Sequence, residues 1–309
     1  MGLFSRKSSP APVQDLSWEG VATLLRPRLV GLQVEAVRGL ALPAQVRASA
    51  QIMSVPVAGD VAVGAVVDSP DGLVQVGEGL LASWGRGIDE VLEVAVSSTF
   101  GRDVEMAKVA PGTYVVRDAW FAAGVALRPG LAETFDVAGD VVAVFADAGW
   151  LVVTGSEDVD GLALVGELLA DVVAEDDRPV SVTPLRLRAG VWEVFDLPAD
   201  VAQGDGWRLA RARWTATRAN EQAQPLAAAL ASEGQDVVVA PVEVVRDPHG
   251  EVITYSPLTS TVATALVRTD TVVCVSLDGS SQIRPFDEVV GDAQPLPGTD
   301  PPRWLVTIS

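Results

Sequence analysis

One local pattern recurs along the chain and constrains its fold more than any other feature. An Asp opens a valine-rich run, a polar turn follows, and a second apolar run returns. The first copy spans residues 60–68, the turn Ser69-Pro70-Asp71-Gly72 and residues 73–76. The second spans 140–146, Asp147-Ala148-Gly149 and 150–154. The third spans 236–245, Asp247-Pro248-His249-Gly250 and 251–255, and a weaker fourth spans 271–276, Asp278-Gly279 and 281–284. β-Branched runs bounded by Gly, Pro and Asp turns are hairpin signals. Each copy therefore predicts two antiparallel strands.

Helical periodicity fills the gaps. Ile88, Val91, Leu92, Ala95 and Val96 share one helical face, with Asp89 and Glu90 favourable in the first turn. Leu162, Val165, Leu168, Leu169 and Val172 do the same, with Asp160 as the expected N-cap. Further helices are expected over 17–25, ended by Pro27; over 117–127, ended by Pro129 and carrying Trp120 and Phe121 as core anchors; and over 219–232, ended by Gly234. A final strand is expected over 304–308. Hairpins with interleaved amphipathic helices define an α+β class. The polar stretch 197–206 marks the best internal boundary. The expectation is a loose tail over 1–15, an N-terminal unit over 16–200 and a smaller C-terminal unit over 201–309.

A hydrophobic content of 49% over 309 residues provides for a large core. The formal net charge of −19 opposes nucleic acid and anionic membranes, because phosphate binding needs clustered Lys and Arg. No apolar run approaches the ~20 residues that cross a bilayer. The basic start has no apolar stretch behind it, and Arg6 stands where a myristoylation pattern wants Ser or Thr. A soluble cytoplasmic protein is expected. Two Lys against many Arg, with abundant Ala, Val, Gly and Asp, suggest a GC-rich bacterial coding bias.

The residues that carry much of enzyme chemistry are scarce. His249 is the single histidine and sits in an expected turn. Cys274 is the single cysteine; with valine neighbours it reads as an inert core thiol, and it excludes an intramolecular disulfide. No Gly-x-Gly-x-x-Gly follows a strand, and neither a phosphate loop nor a nucleophile elbow is present. No cofactor is expected.

Three groups remain as candidates. In Ser156–Glu167, Asp158, Asp160, Gly161 and Glu167 fall at positions 3, 5, 6 and 12 of a calcium loop, but Ser156 stands at position 1. The competing expectation is a strand-to-helix turn. The arginines Arg208, Arg211, Arg213 and Arg218 form the one basic patch. Arg211 and Arg213 alternate with Ala210, Ala212 and Trp214 as on a half-exposed strand, and the patch suits an anion or an acidic partner. Trp84, Trp120 and Trp150 would line the pocket of a small-ligand or peptide-binding module.

Residues 74–78, the stretch Leu80-Leu-Ala-Ser-Trp84-Gly85, Asp89-Glu90, the helix expected over 114–127, the strand from Asp140 and Leu151–Ser156 follow in an order that resembles the bacterial YtpQ-like family. The resemblance covers about residues 60–195 and implies no activity. The leading expectation is a non-catalytic interaction or accessory protein that binds another protein. Its competitors are a hydrolase or transferase using carboxylates, with a divalent metal near Asp158 and Asp160, and the small-ligand or peptide binder.

Overall fold

In the computed structural model the chain is described over residues 16–33, 52–99, 104–175, 180–259 and 262–307. The expected 1–15 tail lies outside those residues. The first hairpin forms β3 (Val61–Ser69) and β4 (Gly72–Gln75), paired antiparallel. Strand β1 (Leu25–Gly31) runs along one edge of β3, from Leu25 opposite Val67 to Gly31 opposite Val61. β2 (Ser54–Ala58) and β4 share the other edge. Residues 61–67 of β3 are all buried, which is why this strand reads as a continuous apolar run rather than an alternation.

The helix expected over 17–25 is only one turn, α1 (Trp18–Val21), capped by Ser17 and followed by a 3-10 turn. Leu25 already belongs to β1, and Pro27 sits within that strand rather than ending a helix. β1 ends its sheet, where a proline removes no ladder bond that a neighbour needs.

The second hairpin, β7 (Val141–Phe145) with β8 (Trp150–Gly155), lies at the centre of a six-stranded antiparallel sheet of order β10-β9-β7-β8-β6-β5. The others are β5 (Met106–Ala110), β6 (Thr113–Arg117), β9 (Leu185–Arg188) and β10 (Val191–Val194). Successive side chains point to opposite faces, and both faces are buried. Val141, Ala143, Phe145, Leu151 and Val153 join a core with β1, β3 and the helices α2 (Glu78–Trp84), α3 (Ile88–Ser97) and α4 (Ala119–Leu127). Val142, Val144 and Val152 face the other way, onto α5 (Val159–Glu175). Leu162, Val165 and Leu169 of α5 are at most 1% exposed. At about 1.5–3 kcal/mol per buried aliphatic side chain, they suffice to hold the helix to the sheet. α4 begins at Ala119, because the Asp118 carboxylate caps the amides of Trp120 and Phe121 and residues 113–117 are already β6.

The stretch 197–206 is not an open linker. It holds α6 (Ala199–Ala202) and the first turn of α7 (Asp205–Ser232). The helix expected over 219–232 is thus longer by its whole Arg-rich N-terminal half. Buried Trp207, Ala210, Trp214, Arg218, Gln222 and Leu226 recur at helical spacing. The Arg/Ala alternation that suggested a strand is incidental, since both residues are strong helix formers. α7 packs on α5 along its N-terminal half and also meets β11 (Val237–Val239), β12 (Glu243–Arg246) and β13 (Val252–Thr259), with Asp205 paired to Arg246 and Arg208 bonded to the Val252 carbonyl.

The third hairpin is split. Ala240-Pro241-Val242 interrupts the run, and its two parts join different sheets. β11 pairs parallel with β14 (Ala263–Val267), while β12 makes the hairpin with β13. β13 also pairs parallel with β15 (Thr271–Val275), so the ladders of this region are not purely antiparallel. The fourth hairpin, β15 with β16 (Ser281–Pro285), forms as expected. After α8 (Phe286–Val290), the irregular stretch 291–302 leads to β17 (Arg303–Val306), which pairs with β14. Among the described residues no helix is long and apolar enough to cross a membrane.

Candidate functional site

The site is set by how α7 docks. The Trp207 indole N–H donates to the Leu162 carbonyl at 2.8 Å, with the ring 1% exposed between the helices. Gly166 of α5 lies under that ring, and Gly206 lies against the backbone of Gly166 and Glu167. The contact fixes the rotation of α7. Arg211, Trp214 and Arg218, spaced three and four apart, then share one face.

That face forms one wall of a cleft of about 510 Å³. Val182, Thr183 and Pro184 ahead of β9, and Val194, Phe195, Asp196 and Leu197 at the end of β10, form the facing wall. Gln33, Asp60 and Ala202 complete the lining. The wall ahead of β9 is held by a buried relay: the Ser181 hydroxyl donates to the Asp60 carboxylate at 2.5 Å and accepts the Thr183 amide at 2.9 Å.

The cations in this cleft differ in their partners. Arg218 is 6% exposed, its Nη2 donates to Asp300 at 2.8 Å, and its guanidinium lies 5.7 Å from the Trp214 ring centre. Its Nε is buried without a hydrogen-bond partner among the described residues. Arg211 donates to the Ala202 carbonyl at 3.3 Å and lies 5.6 Å from the Trp207 ring centre. Among the described residues no carboxylate lies within 4.0 Å of it. Although Arg211 is exposed as a residue, desolvation by surrounding protein lowers the pKa of its guanidinium below the ordinary value.

The four arginines therefore do not act as one patch. Arg208 bonds Glu251 and the Val252 carbonyl, and the hydrogen bond to Glu251 raises its pKa. Arg213 donates to the Ala170 carbonyl at 2.6 Å, stapling α7 to α5. Arg211 and Arg218 alone line the cleft.

The three tryptophans do not form one pocket either. Trp84 donates to the Leu16 carbonyl at 2.7 Å, lies 5.7 Å from Trp18 edge-on, and packs on the core beneath the first face of the six-stranded sheet. Trp150 packs on the opposite face, with the Arg117 guanidinium 4.2 Å from its ring centre. Trp120 is half-buried on α4 and does not line the cleft. The aromatic residues of the cleft are Trp214 and Phe195. Trp214 was legible only as a neighbour of arginines, and Phe195 carried no signal in the sequence.

The acidic loop is a helix start. Asp158, not Asp160, caps α5, its Oδ1 accepting the Gly161 amide at 2.9 Å. Asp160 and Glu167 are exposed on the helix. Among the described residues no three His, Cys, Asp or Glu side chains are grouped to hold a metal ion. His249 is exposed in its turn, where the Asp247 carboxylate accepts its backbone amide. Cys274 is buried on β15, and burial pushes its thiol pKa up while Arg284 opposes the shift.

Comparison with protein-family models, curated proteins and solved structures finds no match to the chain.

Proposed function

We propose that the chain is a non-catalytic accessory protein of the bacterial cytoplasm that binds another protein through the cleft between α7 and the ends of β9 and β10. The observation that carries this reading is the lining itself. It sets Arg211, a cation with no carboxylate partner among the described residues, in one concavity with the half-buried Phe195 and the rim of the buried Trp214, large enough for side chains of a partner. Arginine and aromatic residues are the types that dominate binding energy at protein interfaces. Among the described residues the lining contains no His, Cys or Lys to serve as base or nucleophile. Of its two carboxylates, Asp60 is held in the relay with Ser181.

The competing metal-dependent hydrolase draws little support, since Asp158 is occupied as a helix cap. The reading keeps 16–200 and 201–309 as two subdomains joined through α7. The YtpQ-like resemblance stays part of the proposal and adds no activity to it.

The test places a photo-crosslinking amino acid at position 195 of the full chain and irradiates it in cells of its host. One defined protein joined at that position, and lost in Arg211→Glu at unchanged melting temperature, supports the reading. A crosslink pattern indifferent to Arg211→Glu overturns it.

A further inference from the structure

We infer that the cleft takes an extended acidic segment of the partner, laid along the edge of β10, with a carboxylate on Arg211 and an apolar side chain against the half-buried Phe195. This rests on the reading that the cleft binds a protein, and adds which chemistry it selects.

β10 ends its sheet, and among the described residues no strand hydrogen-bonds to its outer side, although β2 passes close by and Gly59 lies against Val194. Val191 and Val194 on it are 64% and 50% exposed, and Val194 also lines the cleft. Phe195 donates its amide to the Pro184 carbonyl at 2.9 Å, so residues of that parity bond inward to β9. By the alternation of an antiparallel ladder, Trp192 and Val194 turn their backbone N–H and C=O outward. A short apolar edge beside a cleft is suited to strand addition, in which the main chain supplies affinity and the neighbouring pocket reads alternate side chains. A free small carboxylate would use none of this edge, which is why a chain segment is the occupant.

Among the described residues two cations line the cleft, and Arg218 is already paired with Asp300. Arg211 remains, so one carboxylate matches the site, in the bidentate geometry that guanidinium favours. Asp60 and Asp196 line the same cleft in a protein of net charge −19. A phosphate dianion would therefore bring surplus negative charge against two aspartates. Carboxylate is favoured over phosphate on this ground, and nucleic acid is disfavoured further. Desolvation at Arg211 points the same way, because a bound anion restores what its cationic form has lost.

The test uses the full chain and blocked peptides of alternating Val and Thr carrying one central Glu, the same peptides with Gln or phosphoserine there, and a Glu peptide N-methylated at alternate residues. Calorimetric titration should find the Glu peptide about five- to tenfold tighter than the Gln peptide, the range of one charge-assisted contact at a partly exposed site. Phosphoserine should bind no tighter than Glu, and the N-methylated peptide should lose binding. Arg211→Gln should bring the Glu peptide down to the Gln level and leave the Gln peptide unchanged, a coupling that general destabilisation does not produce. Equal affinity for Glu and Gln peptides, tighter phosphoserine binding through Arg211, or binding unaffected by N-methylation overturns the inference. Those outcomes leave the position-195 crosslink untouched, so the two readings fail separately.

Discussion

Arg303, on the last strand, donates from its Nε to the Gln222 side-chain oxygen at 2.6 Å, and both residues are wholly buried. The same guanidinium bonds the carbonyls of Ala219 at 2.5 Å, Ala240 at 2.9 Å and Ala265 at 3.0 Å. One side chain thus ties β17 to α7, to the segment after β11 and to β14. Carbonyl dipoles and an amide compensate the charge, with no carboxylate among the described residues paired to it. Burial lowers its pKa to about 10, which leaves it cationic at neutral pH.

Arg303→Ala should destabilise the chain by about 3–5 kcal/mol, because it strands several buried acceptors at once. Gln222→Leu should cost about 1–3 kcal/mol, and the double variant less than the sum. Denaturant unfolding measures all three. The pH dependence has a definite sign. Above about 10 the folded chain holds fewer protons at Arg303 than the unfolded chain, so this residue's contribution to stability rises with pH there and is flat below. A wild-type-minus-Arg303→Ala difference that changes between pH 6 and 9 would contradict this assignment.

Gly206→Ala should destabilise by more than about 3 kcal/mol, although it favours helix propensity. An added Cβ would lie 2.5 Å from the Glu167 amide nitrogen and 2.7 Å from the Gly166 carbonyl carbon, both backbone atoms that cannot rotate aside. The helices must separate, and the Trp207–Leu162 hydrogen bond with them. Gly79→Ala, where a Cβ meets nothing within 4 Å, should be neutral or stabilising. Melting temperatures of the two variants decide it.

Asp158→Ala should cost about 1 kcal/mol through the lost α5 cap, while Asp160→Ala stays within about 0.5 kcal/mol. Millimolar Ca²⁺ should leave the wild-type melting temperature unchanged, since a ligand of the folded state would raise it. A rise abolished by Asp158→Ala would assign the loop to calcium instead.

Cys274 should react slowly with a thiol reagent in the native protein and quickly once denaturant is added. Its folded pKa is raised by burial, so the folded chain keeps this proton at pH values where the unfolded chain has released it. Its contribution to stability is therefore complete below the unfolded thiol pKa and falls as pH climbs through the folded value. Cys274→Ala should remove that fall, which unfolding from pH 7 to 10 can follow.

Local pattern alone determined much of this protein. The hairpins at 61–75, 141–155 and 271–285 and the helices α3 and α5 lie where alternation, turn residues and helical spacing put them. These elements depend on contacts a few residues apart, which the order of residues displays directly. Tertiary structure decided the rest. Pro27 entered a strand because β1 found β3, and residues 236–245 split because their two parts found different sheets. The Arg-rich segment became a helix whose rotation is set by Gly166, Gly206 and Trp207, two of them in α7 and one in α5. The cleft needs Arg211, Asp60 and Phe195, which are far apart in the chain. Their meeting depends on how helix and sheet pack, and packing is a property of surfaces in three dimensions that no local periodicity encodes.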